Sequence, residues 1–417
     1  MVKVVNISSG DLIGSRFNGF DWKSGLREQG IESKMLVSWN RNSSEGWVNS
    51  ISPIFNDPNL RKFARATYLF NQKRGTETKK LLWSQDLFRH SFYRDADLIH
   101  LQIIQDGTLD METISRIMKE KPTVWTWHDP WPLTGHCIYP MDCIRFESGC
   151  GKCPDLARGF SVGKDKTKSN RSFKKQIIEN SDFTLHLSTN WFEKLVVDTL
   201  GDSISQKIHN LPFGINTDFF EPGDKLLARK KLFLPTEQFT IGIRAVKEPQ
   251  KNFHLFRRAL KLLDLSGLRI SVVTIQEKGM LQNLPSNVYL RELGWTNSND
   301  ELLNFYQSLD LFVMPSLFET FGFMALEAMS VGVPVVAPTG TSVAEITNLN
   351  ETGFEIDGKS AFTLATAIEY ALHNPSILMD KSTRSRITAE NNNLDNFLGS
   401  LGELYRDTIR KFQNASN

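Results

Sequence analysis

The chain has 417 residues, 40% hydrophobic and 23% charged, with a formal net charge of +2. That length exceeds what one core comfortably fills, so two domains are expected. The near-neutral charge lacks the basic excess of a general nucleic-acid binder, so no nucleic-acid partner is expected.

The opening MVKVVNISSGDLIGSR has no apolar segment with a cleavage site and reads as a first strand entering a loop, not as a signal peptide. No stretch approaches the roughly 18 apolar residues of a membrane span, so a cytoplasmic protein is expected. The loop SSGDLIGSRFNG spreads Gly10, Gly14 and Gly19 apart. It is not a G-x-G-x-x-G fingerprint and lends no support to dinucleotide redox chemistry. Gly14 is the candidate for close approach to a ligand. Helical patterning is expected over SRFNGFDWKSGLREQG. Strands are expected at VKVVNIS, SKMLVS, DLIHLQ and TVWTW.

From Leu60 to Leu82, Arg61, Lys62, Arg65, Lys73, Arg74, Lys79 and Lys80 face only Glu77, with Phe63, Tyr68, Leu69 and Phe70 interleaved. Such a segment suits contact with anionic lipid headgroups, as at the inner face of a cytoplasmic membrane. A solvated helix face is the alternative. His128 follows the TVWTW strand directly, and its competing reading is a structural histidine.

All four cysteines lie in CIYPMDCIRFESGCGKC, spaced C-x5-C-x6-C-x2-C at Cys137, Cys143, Cys150 and Cys153. Four thiolates can close a tetrahedral structural zinc site, and glycine inside C-x2-C eases a tight turn around a metal. Structural zinc is the expectation. His136 could replace one ligand, and free thiols or disulfides are the alternatives.

HNLPFGINTDFFEPGDK, near the midpoint, has the composition of a hinge. The strand–helix alternation restarts after it with FTIGIR, RISVVT, NVYLRELG, LFVMPS and VPVVAP, and a helix is expected over NFHLFRRALKLLD. This alternation indicates parallel sheets covered on both faces. A last amphipathic helix is expected in NNNLDNFLGSLGELYRDTIRKF. The domains expected are 1–210, with a cysteine-rich insert near 129–156, a hinge at 211–222, a second domain at 223–395, and a C-terminal helix at 396–417.

In MPSLFETFGFMALEAMSVGVPVVAP, Glu319 lies in a loop after a strand, and Glu327 lies in the following helix, eight positions on. Gly322 permits close backbone approach, and the helix start offers N–H groups to a phosphate. Read alone, the two carboxylates could simply flank a helix N-terminus. The whole stretch resembles the donor-site signature of family 4 glycosyltransferases, retaining enzymes of the GT-B fold. That resemblance implies an α/β architecture of two Rossmann-like domains with parallel sheets facing a central cleft. It also implies a nucleotide-sugar donor, UDP- or GDP-linked. By it, Glu319 meets the donor sugar and Glu327 the ribose hydroxyls, while Phe321, Gly322, Phe323 and Met324 belong to the donor site. FTIGIRAVKEPQKNFHLF resembles the family segment in which Arg244 and Lys251 bind the diphosphate, with Lys247 between them. His128 is implied to contact the donor sugar.

The resemblance implies a front-face retaining transfer that needs no catalytic metal, onto a saccharide or lipid-linked saccharide of bacterial polysaccharide biosynthesis. LTGHCIYPMDCIRFESGCGKCP further resembles an insert of the colanic-acid and exopolysaccharide branch. The alternatives are a nucleotide-sugar 2-epimerase on the same fold and an inactive, zinc-bearing carbohydrate-binding protein.

Overall fold

The computed structural model describes residues 1–12, 14–76, 80–296 and 298–416. Of the basic segment, Glu77 and Lys79 therefore lie outside the described residues. The chain divides into two compact units, Met1–Leu211 with Asp395–Asn417, and Pro212–Leu394.

The first unit is built on seven parallel strands: β1 (Val2–Gly10), β2 (Ile31–Asn40), β3 (Val48–Ser50), β4 (Leu98–Leu101), β5 (Thr123–Thr126), β6 (Thr184–Leu187) and β7 (Ile208–Asn210). Their spatial order is β3-β2-β1-β4-β5-β6-β7. β4, β5 and β6 are buried along their whole length, as expected of strands covered on both faces. The second unit holds β8 (Phe239–Ala245), β9 (Ile270–Gln276), β10 (Val288–Gly294), β11 (Leu311–Val313), β12 (Val335–Pro338) and β13 (Phe354–Ile356). These lie in the order β10-β9-β8-β11-β12-β13 and are also parallel. Both units are thus α/β Rossmann-like folds. In each, strand order reverses once, between β1 and β4 and between β8 and β11. Sheets of this kind hold ligands outside the carboxyl ends of the strands at that reversal.

The C-terminal helix Leu394–Ser416 packs into the first unit. The Tyr405 hydroxyl bonds His100 Nδ1 at 2.7 Å, Thr408 pairs with Thr184 at 2.8 Å, and Phe397 meets Trp22 edge-on. The helix expected over residues 15–30 is confined to Lys23–Glu28. Gly14 and Gly19 take φ of +77° and +99°, and the Asn18 amide donates to the Gly10 and Asp11 carbonyls, which holds the preceding stretch in turns. In the second unit the helix begins at Phe253, and Lys251 closes a 3-10 turn instead of opening the helix. Asn252 between them takes φ +56°, a left-handed conformation that asparagine tolerates well.

Candidate active site

The residues expected to carry chemistry in the second unit gather at the carboxyl ends of β8 and β11, where strand order reverses. Lys251 Nζ and Glu319 Oε1 form an ion pair at 2.6 Å, and the side chains are only 11% and 13% exposed. Two anchors set this geometry. The buried Asn252 amide donates to the Pro315 and Gly358 carbonyls at 3.1 and 2.8 Å, pinning the turn after β8 to the loop after β11. The Ser342 hydroxyl donates to the Glu319 carbonyl at 2.7 Å. Lys247 is instead exposed and pairs with Glu277 at 3.5 Å, so the cation facing Glu319 is Lys251. Arg244, half-buried at the end of β8, donates from Nε to Gln276 Oε1 at 2.5 Å.

The loop after Glu319 runs through buried Phe321 into Gly322, which takes φ +125° and N-caps the helix Phe323–Ser330 with no side-chain cap bond. A Cβ at Gly322 would stand 3.0 Å from Val343 Cγ2 in a backbone conformation side chains rarely adopt. Phe321, Phe323 and Phe213 pack together with ring centroids 4.9–5.3 Å apart, which fixes the helix start. Phe323 and Met324 are half-buried and keep accessible surface there. The arrangement offers an anion two partly buried cationic side chains and the amide end of a helix.

Glu327 lies in the helix Phe323–Ser330, as its spacing from Glu319 predicts, is 0% exposed, and its Oε2 accepts from the Tyr306 hydroxyl at 2.7 Å. In this arrangement the carboxylate supports the helix from within the unit. Apart from this cluster, a cavity of about 570 Å³ lies between the helix Phe253–Ala259 and the chain after β9, bordered by Lys247, His254, Arg257, Arg258 and Lys261. None of the donor-site residues expected from the sequence lines it.

In the first unit, Gly14 lies against the Phe17 ring, where a Cβ would meet it at 2.7 Å. Phe17 in turn packs against His128 with centroids 5.2 Å apart. The loop after β1 and the segment after β5 therefore come together through Gly14, Phe17 and His128. His128 is half-buried, and desolvation, followed by the influence of His186, holds its pKa well below the ordinary value, down to about 3. Its Nε2 bonds Gln102 Oε1 at 2.8 Å. The neighbouring Asp129 is buried, which pushes its pKa up to about 7 against the lowering effect of the Trp131 amide, Lys174 and Gln105. Lys174, wholly buried on the helix Thr167–Glu179, donates to the Trp131 carbonyl at 2.5 Å and sits 4.0 Å above the Trp131 ring. Sequence reasoning missed Gln102, Asp129, Lys174, Asn252 and Tyr306. Only Asn252, an asparagine between a turn and a helix, carried a local signal.

The cysteine-rich segment between the turn Trp131–Leu133 and the helix Thr167–Glu179 has no regular secondary structure. Gly149, Cys150, Gly151 and Lys152 all take positive φ, so the closing C-x2-C is a tight left-handed knuckle. All four cysteines and His136 line one cavity of about 20 Å³, room for a single water-sized occupant. His136 Nδ1 donates to the Phe160 carbonyl at 3.1 Å, which leaves Nε2 as the acceptor facing Cys153 Sγ at 3.5 Å. All four are free thiols, not disulfides. As placed, no three His, Cys, Asp or Glu side chains among the described residues form a group that could hold a metal ion. The donor chemistry and the common cavity are those a structural zinc would use.

The helix Pro58–Arg74 buries Ala64 and Tyr68 on one side. On the other, Phe63 and Phe70 are 58% and 57% exposed, next to exposed Lys62, Lys73 and Arg74. No helix among the described residues is long and apolar enough to cross a membrane.

Residues 224–392 match the family described as glycosyl transferases group 1. A D-inositol 3-phosphate glycosyltransferase of Stackebrandtia nassauensis is 28% identical over 229 residues, 51% of this chain and 50% of that protein. The chain thus spans about half the length of the curated relatives it matches. Among solved structures, sucrose-phosphate synthase from Thermosynechococcus elongatus aligns with a TM-score of 0.68 at 17% identity, covering 99% of this chain and 100% of the other. Anabaena HepE in complex with UDP-glucose aligns with a TM-score of 0.64 at 12% identity, over 99% and 100% of the two chains. At these identities the structural matches establish the fold, GT-B with two Rossmann-like domains.

Proposed function

We propose that this chain is a retaining glycosyltransferase that moves a sugar from a UDP- or GDP-sugar to a saccharide or lipid-linked saccharide acceptor in bacterial polysaccharide biosynthesis. The observation that carries the reading is the Lys251–Glu319 pair beside the Gly322 helix start, inside the segment that matches glycosyl transferases group 1. The solved complex of Anabaena HepE with UDP-glucose supports a nucleotide-sugar as the donor class.

Breaking the bond from sugar to diphosphate places new negative charge on the leaving phosphate. Arg244, Lys251 and the amides at Phe323 and Met324 are fixed donors that stabilise this charge as it develops. They supply in side chains and backbone what a divalent ion supplies elsewhere, so the transfer proceeds without a catalytic metal. Glu319 orients the sugar hydroxyls, held in place by Lys251, and is not a nucleophile. Retention then follows a front-face route in which the departing phosphate oxygen takes the acceptor's proton. Glu327 is assigned to the ribose hydroxyls. The resemblance assigns Gly14 to close approach to a ligand and His128 to contact with the donor sugar.

Two further assignments accompany this reading. The four cysteines hold one structural zinc after their thiolates draw together, in the manner of a colanic-acid-type insert. The exposed face of the helix Pro58–Arg74 rests against anionic lipid, which suits a lipid-linked acceptor and a site at the inner membrane surface. The test of function is a thermal-shift panel of nucleotide sugars on the full chain, followed by transfer with the preferred donor in EDTA. A binder of the native state raises the transition, and one donor is expected to stand out. No response to any nucleotide sugar would refute the reading, and transfer restored only by Mg²⁺ or Mn²⁺ would refute its metal independence.

A further inference from the structure

The cavity of about 570 Å³ in the second unit is distinguished by its charge. The helix Phe253–Ala259 turns Phe253, Phe256 and Ala259 into the core. The spacing i, i+3, i+4, i+7 then puts His254, Arg257, Arg258 and Lys261 together on the opposite side, where all four are exposed and border the cavity. Lys247 joins them from the segment after β8, and Glu248 is the one carboxylate among the described residues that line the space. Arg257, Arg258 and Lys261 make no ion pair and no side-chain hydrogen bond among the described residues. Lys247 is 81% exposed in its side chain and pairs with Glu277 at 3.5 Å. Like charges three and four positions apart, as Lys261 stands from Arg258 and Arg257, disfavour a helix. The helix dipole favours Arg257 and Arg258 in the last turn. It gives no reason for His254 in the first turn or for Lys247 arriving from another segment. The stability of the unit therefore does not account for the cluster, whereas a ligand of opposite charge does.

The geometry points to a second anion site in this cavity, one that takes a soluble small molecule carrying at least two phosphate groups. Guanidinium groups match phosphate oxygens two at a time, and the lysine ammonium groups add mobile point charges. Each phosphate monoester carries about −1.5 to −2 at neutral pH, so two of them balance four cations set against one carboxylate. A lone carboxylate would leave most of that charge unmatched. The volume falls in the range of small-molecule sites, roughly 300–1,000 Å³. Val246, Phe253 and Met280 give the wall an apolar part for the rest of the ligand. That concave, partly apolar form suits a soluble molecule better than the headgroups of a lipid surface. The site lies wholly within the second unit, and none of Arg244, Lys251, Glu319 and Gly322 lines it, so it does not rest on the proposed function.

The experiment is isothermal titration of the full chain with sodium tripolyphosphate and, separately, with inorganic phosphate, at about 0.15 M salt. Tripolyphosphate is expected to bind at least ~10-fold more tightly than phosphate, because it reaches several cations at once. Arg257→Gln combined with Lys261→Gln should weaken tripolyphosphate by about 10-fold or more, the scale of losing charge-assisted hydrogen bonds. Arg244→Ala, on the donor side, should leave this binding in place. Both replaced side chains are exposed, so the calorimetric transition of the double variant should not fall, and Arg258→Gln serves as an independent variant. Absence of tripolyphosphate binding, binding no tighter than that of phosphate, or binding unchanged in the double variant overturns the proposal. A loss confined to Arg244→Ala places the anion at the donor site and overturns it as well. Flotation with anionic vesicles that is lost in the double variant would move the phosphates to lipid headgroups and overturn the soluble ligand.

Discussion

Replacing Lys251 by Met tests whether the pair at the carboxyl ends of β8 and β11 organises the second unit's site. Charges 2.6 Å apart attract with a gross energy of ~6 kcal/mol at an effective dielectric constant near 20. Much of that is offset by the cost of removing both groups from water. Taking away one partner of so little exposed a pair leaves Glu319 charged and unpaired, and a net loss of about 2–4 kcal/mol is expected. For a unit of this size that corresponds to a fall of roughly 5–15 °C in the calorimetric transition of the second unit. Glu319→Gln should cost less, because the amide oxygen still accepts from Lys251 Nζ. The double variant Lys251→Met with Glu319→Gln should recover part of the first loss, with a coupling of ~1–3 kcal/mol. Scanning calorimetry of the four proteins closes the cycle. A Lys251→Met transition within 1 °C of wild type, or strict additivity in the double variant, would refute the reasoning.

Burial holds the His186 pKa down at about 4, against an ordinary value of 6.5, so between those pH values the unfolded chain binds a proton that the folded unit does not. Stability from this group is present above pH 6.5 and is lost as pH falls toward 4. Relative to wild type, His186→Gln should therefore gain ~1.4 kcal/mol per pH unit over that window in urea titrations. Gly322→Ala should lower stability by about 1–3 kcal/mol, because φ of +125° and the contact with Val343 strain any side chain, and it should weaken nucleotide binding in parallel by calorimetry. Elemental analysis of protein prepared without chelator should find about one zinc per chain, falling to a small fraction in Cys150→Ser or Cys153→Ser; stable, metal-free wild-type protein would reject the zinc. In liposome flotation, the chain should float with anionic vesicles and not with neutral ones, and Phe63→Asp with Phe70→Asp should abolish flotation.

The donor-side residues were legible because local rules set them. A strand must end before Pro315-Ser316, a glycine is needed at the φ of Gly322, and a helix with an exposed amide end follows. Long apolar strands such as β1, β8 and β9 were legible for the same reason, since their burial is written into consecutive residues. The four strands that carry no signal of their own, β3, β6, β7 and β13, are three or four residues long. β6 and β7 also contain His186 and His209, polar residues whose strand state depends on distant partners. Long-range partners also explain what was missed at the site. Gln102 and His128 are 26 positions apart, and Tyr405 reaches His100 across 305. The burial of Glu327 was equally invisible, because Tyr306 covers it from another helix. Sequence alone resembled a donor site; it did not show that Lys251 and Glu319 neutralise each other there.

The measurement that bears most directly on the central claim is the release of nucleotide from the preferred donor by the full chain, compared with Glu319→Gln and Arg244→Ala. The account predicts that wild type cleaves one nucleotide sugar and that each variant, still folded, falls by about 100-fold or more, the scale of losing one positioned group at a developing charge. Cleavage at the wild-type rate by both variants would contradict it.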